Sequence, residues 1–195
     1  MKTISLQKPA FMFLMLSALM LIGSSCGPSD LSLINEVKRF EPEWMNLSEK
    51  VSFINQHLRL TQRRYAKDLE EVDPFIKDPG ISERNNLMGL RSQYRNLMTE
   101  RDEVQAEFDE QQANFIETVE RFNEWQTKLM KNKLGDAEAH DSFQQFQQDH
   151  ENLKASMAEI ESKLLDNIEL HNSILRRITS ALKLYTNYDI VVSYQ

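Results

Sequence analysis

Apolar residues recur at alternating steps of three and four along most of the chain, and the phase holds over stretches longer than forty residues. From Asp30 to Val72 one seam passes through Leu33, Val37, Phe40, Trp44, Leu47, Val51, Ile54, Leu58, Tyr65 and Val72. From Leu87 to Asn132 a second passes through Leu87, Leu90, Tyr94, Leu97, Val104, Phe108, Phe115, Phe122, Trp125 and Leu129. From Phe143 to Tyr188 a third passes through Phe143, Phe146, Leu153, Met157, Ile160, Leu164, Ile174, Ile178, Ala181, Tyr185 and Tyr188. Of the 41 seam positions in these stretches 31 are apolar, where a hydrophobic content of 41% would place about 17. The repeat therefore lies in the order of the residues, not in their composition, and it predicts long helices that close on one another. The pairs Glu117/Arg121, Glu124/Lys128 and Glu159/Lys163 stand acid-first and four apart off the seam, as solvated helix faces favour.

Strong breaks fall at two places. Asp73-Pro74-Phe75-Ile76-Lys77-Asp78-Pro79-Gly80 holds two prolines and a glycine, and Leu134-Gly135-Asp136 combines a C′ glycine with an N-cap aspartate. The expected fold is all-α: an elongated antiparallel three-helix bundle or coiled coil, with helices over about 31–72, 81–133 and 136–188 and a tail over 189–195. Helices two and three would each run about 50 residues, hence roughly 75–80 Å. Pro42 interrupts helix one, but Val37, Trp44 and Val51 stay seven apart across it, so a kinked continuous helix is expected, with a separate helix 30–41 as the alternative. Off the seam, Met98, Ile116, Val119, Ile168, Leu175 and Leu182 widen the apolar stripe, leaving room for a second copy to pack.

The first 26 residues read as an address. Lys2 and Lys8 precede a 14-residue stretch, Ala10 to Gly23, that is apolar but for Ser17. A bilayer span needs about 20 apolar residues, so the stretch suits a cleaved signal better than a permanent anchor. Gly23-Ser24-Ser25 then leads to Cys26, the only cysteine. This layout resembles the lipobox of bacterial lipoproteins, although Gly23 stands where that family prefers Leu. The resemblance implies diacylation of Cys26, cleavage after residue 25, a short tether over 26–30 and a bundle over 31–188. Cleavage by the ordinary signal peptidase, leaving a free thiol, and an uncleaved anchor are the alternatives. In the family's sorting rule an Asp after the Cys favours the inner membrane, so Gly27 is compatible with the outer membrane of a Gram-negative-type envelope. Lipid would then be the link to the membrane, since more than one acyl chain makes anchoring durable.

Charge narrows the partners. Lys+Arg 23 against Asp+Glu 30 gives −7, and losing residues 1–25 removes two Lys and no acid, leaving −9. Such a balance excludes a nucleic-acid grip built on phosphate neutralisation, and an acidic body is repelled from an anionic membrane rather than laid flat on it. The extended tether 27–30 spans at most about 14 Å. The base of the rod, with the turn at Gly135, is therefore expected near the membrane and the 73–80 loop at the far end.

Candidate chemistry is sparse. Arg101 breaks the seam of helix two, and antiparallel packing puts Asn167 and His171 across from it, a possible polar core layer that fixes register. Gln111 and Thr118 either act likewise or face a wetter edge. Phe122 and Trp125 should meet Phe143, Phe146, His150 and Phe40 in an aromatic layer that packs as core. His150 and His171 lie three heptads apart, about 31 Å, so they cannot share an ion, and no Glu precedes a His by three residues. No metal, cofactor or catalytic residue is expected: Gly-x-Ser-x-Gly and Gly-rich phosphate loops are absent.

The body also resembles small helical bacterial lipoproteins labelled after viral A-type inclusion proteins, through its architecture and Trp125, Lys128, Leu129 and Met130. That resemblance implies no activity. The leading expectation is a non-enzymatic envelope lipoprotein, a spacer or adaptor that contacts another envelope protein or itself. A holdase or lipid-binding bundle is the alternative, and an enzyme with an unfamiliar site a third.

Overall fold

The computed structural model describes residues 31–76 and 84–182. The signal segment, Cys26, the tether, the middle of the Pro-Gly loop and the tail lie outside the described residues. Three helices follow in order: α1 (Leu31–Ile76), α2 (Arg84–Met130) and α3 (Asp136–Ala181). Each packs on the other two, α2 and α3 most extensively, and there is no strand among the described residues. The fold is an all-α three-helix bundle.

Lengths of 46, 47 and 46 residues make each helix about 70 Å long. Several boundaries differ from those the sequence predicts. Helix α1 runs past Val72 to Ile76, through Pro74, and α2 stops at Met130, not Lys133. Helix α2 begins at Arg84 and α3 ends at Ala181, while positions 81–83 and 183–188 of the expected helices lie outside the described residues. Pro42 does not divide α1 either. Both prolines sit on the exposed face, where the carbonyl four residues earlier, freed of its intrahelical partner, can take water instead. The packed face of α1 keeps its ladder, so tertiary contact holds the helix together across both residues.

The α2–α3 turn also differs in detail. Asn132, not Gly135, is left-handed, with φ 52°. The Lys133 amide donates to the Lys128 carbonyl and the Asn132 amide to that of Leu129, both at 3.0 Å. This paired closure is a Schellman cap with Asn in the position usually held by Gly. Gly135 has φ −69° and ψ 150° and opens α3 as its N-cap, without a side chain to bond the first amides. Asp136 is thus the first helical residue, where its charge complements the helix dipole.

The seam forms one continuous core from Leu33 and Leu129 to Val72, Leu87 and Ile178. Ring contacts fix the directions: Phe40 meets Phe122 and Phe143, while Tyr65 meets Tyr94 and His171. Going up α1 and α3 means going down α2, so α2 is antiparallel to both neighbours. Off the seam, Val119, Ile168 and Leu175 are buried in the chain's own core, and Met98, Ile116 and Leu182 pack against it half-buried. The widened stripe is used within one chain.

Candidate functional site

The most polar part of the interior lies where α1 presents Thr61, Tyr65 and Asp68, α2 presents Tyr94, Leu97 and Arg101, and α3 presents Asn167 and His171. Steps of three and four along each helix bring these residues inward together with the apolar seam. Tyr65 and His171 stack with centroids 4.1 Å apart and planes 5° from parallel. Tyr94 tilts against the same imidazole at 5.4 Å. Asp68, His171 and Tyr94 are completely buried, and Tyr65 is 1% exposed.

Bonds between the helices tie this layer together. The Tyr65 hydroxyl donates to Asn167 Oδ1 at 2.9 Å, and Asn167 Nδ2 donates to the Leu97 carbonyl at 3.1 Å. The Tyr94 hydroxyl donates to the Tyr65 carbonyl at 3.1 Å. His171 Nε2 lies 3.2 Å from Asp68 Oδ2, although off the line that a hydrogen bond requires, and Nδ1 lies 3.0 Å from Asn172 Oδ1. Arg64 reaches in from the half-exposed edge to donate from Nε to Asp68 Oδ2 at 2.9 Å. Asp68 Oδ1 has no hydrogen-bond partner among the described residues. A buried carboxylate held this way gains from the Arg64 guanidinium but carries the desolvation of one unpaired oxygen.

Burial raises the pKa of both phenols. For Tyr65 the Arg101 charge opposes that rise and Asp68 reinforces it. For Tyr94 Asp68 and Tyr65 add to it and Arg64 opposes it. Each stays a neutral donor at ordinary pH. Protein atoms fill the layer, so it can hold helices in register; a substrate would have to displace a ring to reach Asp68 or His171.

Arg101 behaves differently from the expected pairing. It is 4% exposed, yet it turns to α1, donating from Nη2 to the Leu58 carbonyl at 2.9 Å and from Nε to Thr61 Oγ1 at 3.4 Å. Asp102 and Gln105 on its own helix complete its acceptors. Asn167 and His171 instead share the layer of Tyr65 and Asp68. Three residues expected as one layer are all buried but belong to two adjacent ones. Asp68, absent from that expectation, is the charge beside His171; its signal was the polar gap that Thr61 and Asp68 leave on the α1 seam.

The aromatic layer forms toward the other end, and Trp44 joins it. Phe40 approaches Phe143 edge-on at 5.6 Å, Trp125 stacks on Phe143 at 5.8 Å, and Phe122 meets Phe146 edge-on at 5.2 Å. His150 is 1% exposed and stands edge-on to Trp44 at 4.9 Å. Both imidazole nitrogens and both indole nitrogens lack hydrogen-bond partners among the described residues. Rings fill this layer too.

Two grooves run between α2 and α3, and the second reaches Asn167 of the polar layer. One is lined by Gln111, Asn114, Thr118, Arg121, Asp149 and Ser156, so Gln111 and Thr118 border a wetter edge. The other holds Glu100, Glu103, Glu107, Asp166 and Lys163, whose ammonium pKa is raised by hydrogen bonds to Glu159 and Glu107. Among the described residues no three His, Cys, Asp or Glu side chains converge as a metal site. No helix among them is long and apolar enough to cross a membrane. Comparisons with protein-family models, with curated proteins and with solved structures find no match.

Proposed function

We propose that this protein is a non-enzymatic lipoprotein of a Gram-negative-type cell envelope, a stiff helical rod tethered through Cys26, with the outer membrane as its destination. It acts as a spacer or adaptor, and another envelope protein or a second copy is its partner. The observation that carries this reading is the closed core. Every apolar seam residue from Leu33 to Ile178 is buried or half-buried, and the ionisable Asp68 and His171 are sealed inside. A holdase needs apolar seam surface held open; among the described residues the exposed large apolar side chains are Leu31, Met45, Leu60, Met88, Met130 and Leu170, all off the seam. The start of α1 supports the tether, since Leu31 is five residues beyond Cys26, at the end of the bundle shared with the α2–α3 turn.

Mass spectrometry of the amino-terminal peptide from native envelopes tests the reading. The expected product begins at Cys26 and carries a diacylglyceryl thioether, and Cys26→Ser abolishes it. A peptide beginning elsewhere, or an unmodified Cys26, overturns the tether. Crosslinking in intact envelopes should then yield one recurrent partner or a homodimer, whereas a broad ladder of unrelated clients would favour the holdase.

A further inference from the structure

The two most exposed large apolar side chains lie at one end of the bundle. Leu31 is 70% exposed and Met130 is 52% exposed. Leu31 opens α1 and Met130 closes α2, and the antiparallel packing brings these termini together. A free apolar side chain is unremarkable alone. Two at the tip nearest the lipidated cysteine need a common cause.

The same tip gathers cations in an acidic molecule. Lys128, Lys131 and Lys133 are all exposed, and residues 125–135 contain no carboxylate, in a chain of 30 acidic against 23 basic side chains. Lys128 has an ordinary role, complementing the C-terminal dipole of α2. Lys131 and Lys133 stand beyond the helix and form no ion pair among the described residues. Asp136 and Glu138 follow in the first turn of α3, where the dipole of that helix offsets their charge.

We propose that the α2–α3 turn, with Leu31 beside it, is a foot that beds into the headgroup layer of an anionic bilayer. Met130 and Leu31 reach the acyl boundary, and the three lysines contact lipid phosphates. This rests on the lipid-tether reading, because a tether of at most about 14 Å holds this end at the surface. Hydrocarbon and anionic phosphate then meet the foot together, which matches its apolar and basic residues. The acidic remainder of the rod is repelled, so the foot also stands the rod on end.

The test uses the full chain, purified from membranes and reconstituted in vesicles of phosphatidylcholine with about 30% phosphatidylglycerol. Met130→Cys, and separately Met88→Cys near the opposite end, carry an environment-sensitive fluorophore, and spin-labelled acyl chains quench it. Quenching at position 130 should exceed that at position 88 by about threefold or more. The combined Lys128→Glu, Lys131→Glu and Lys133→Glu variant should lower the quenching at position 130 and leave that at position 88 unchanged, as should pure phosphatidylcholine. Should that variant misfold by circular dichroism, the corresponding Gln variant replaces it. Equal quenching at both positions in the anionic vesicles, or quenching at 130 indifferent to the lysines and lipid charge, overturns the foot. The mass of the amino-terminal peptide reads the tether separately. Acylation without the quenching difference sinks the foot alone, and the difference without acylation sinks the tether alone.

Discussion

Tyr65 lies flat against His171, 4.1 Å away, and the Nε2 of that imidazole lies 3.2 Å from the only fully buried carboxylate among the described residues, Asp68. Because α1 and α3 run parallel, the stack and the Asp68–His171 contact come from one level of the bundle. A slip of either helix by a heptad would face Asp68 with aliphatic seam residues. The layer therefore makes one register much better than its neighbours, at a cost in desolvation.

Removing one partner should be costly. Asp68→Ala is expected to lower unfolding free energy by about 3–5 kcal/mol, because Arg64 loses its anion and His171 its buried polar neighbour. The double replacement Asp68→Leu with His171→Leu should recover most of that loss, since apolar substitutes for a buried pair are often neutral. Urea unfolding of Asp68→Leu, His171→Leu and the double variant measures the coupling; additive losses would mean the residues act independently.

Alkaline pH should open the bundle through Tyr65 and Tyr94. Their folded pKa values lie above the ordinary 10.0, chiefly through burial, so the fold binds more protons than the unfolded chain once pH exceeds that value. The stability this lends is complete below pH 10 and is lost as pH rises further. The phenolate absorbance of these two residues should appear together with loss of helical circular dichroism. Tyr65→Phe should move the alkaline midpoint upward while costing about 1 kcal/mol at neutral pH for its lost hydrogen bond. Titration of both phenols with the helices intact would contradict this.

Gly89 sits inside α2 on the exposed face, and a Cβ there would meet nothing within 4 Å. Gly89→Ala should raise stability by about 0.5–1 kcal/mol, mainly by restricting the unfolded chain. Thermal melts suffice to check it, and a loss would indicate a neighbour that needs the bare backbone.

Asn132 holds the left-handed cap that Gly usually fills. Asn132→Gly should leave stability unchanged or raise it by up to about 1 kcal/mol, and Asn132→Ala should lower it by about 1 kcal/mol. Gly135→Ala, at an extended N-cap where Ala is disfavoured, should lower stability by about 0.5–1 kcal/mol in the same melts.

The fold was legible because seam residues such as Val37, Trp44 and Val51 report helical phase directly, even across Pro42. Pro74 misled the boundary of α1, since its penalty depends on which face it occupies, and the face matters only once the helices are packed. Gly135 drew the cap away from Asn132 because both residue types adopt φ > 0, and only the chain path chooses between them. Arg101, Asn167 and His171 stood out as polar seam residues. Which of them meet depends on side-chain reach across α1, and Asp68 resembled a solvated acid until Tyr65, His171 and Arg64 enclosed it.

The phase that carries α1, α2 and α3 also makes their height adjustable in fixed increments. Excising seven residues from each helix at one matching level removes about 10 Å and rejoins the remaining seam in step. If cuts made between the aromatic and the Tyr65–His171 layers leave a folded but shorter molecule, then any task that depends on the distance from bilayer to tip would change with it, while a task performed by the surface alone would not.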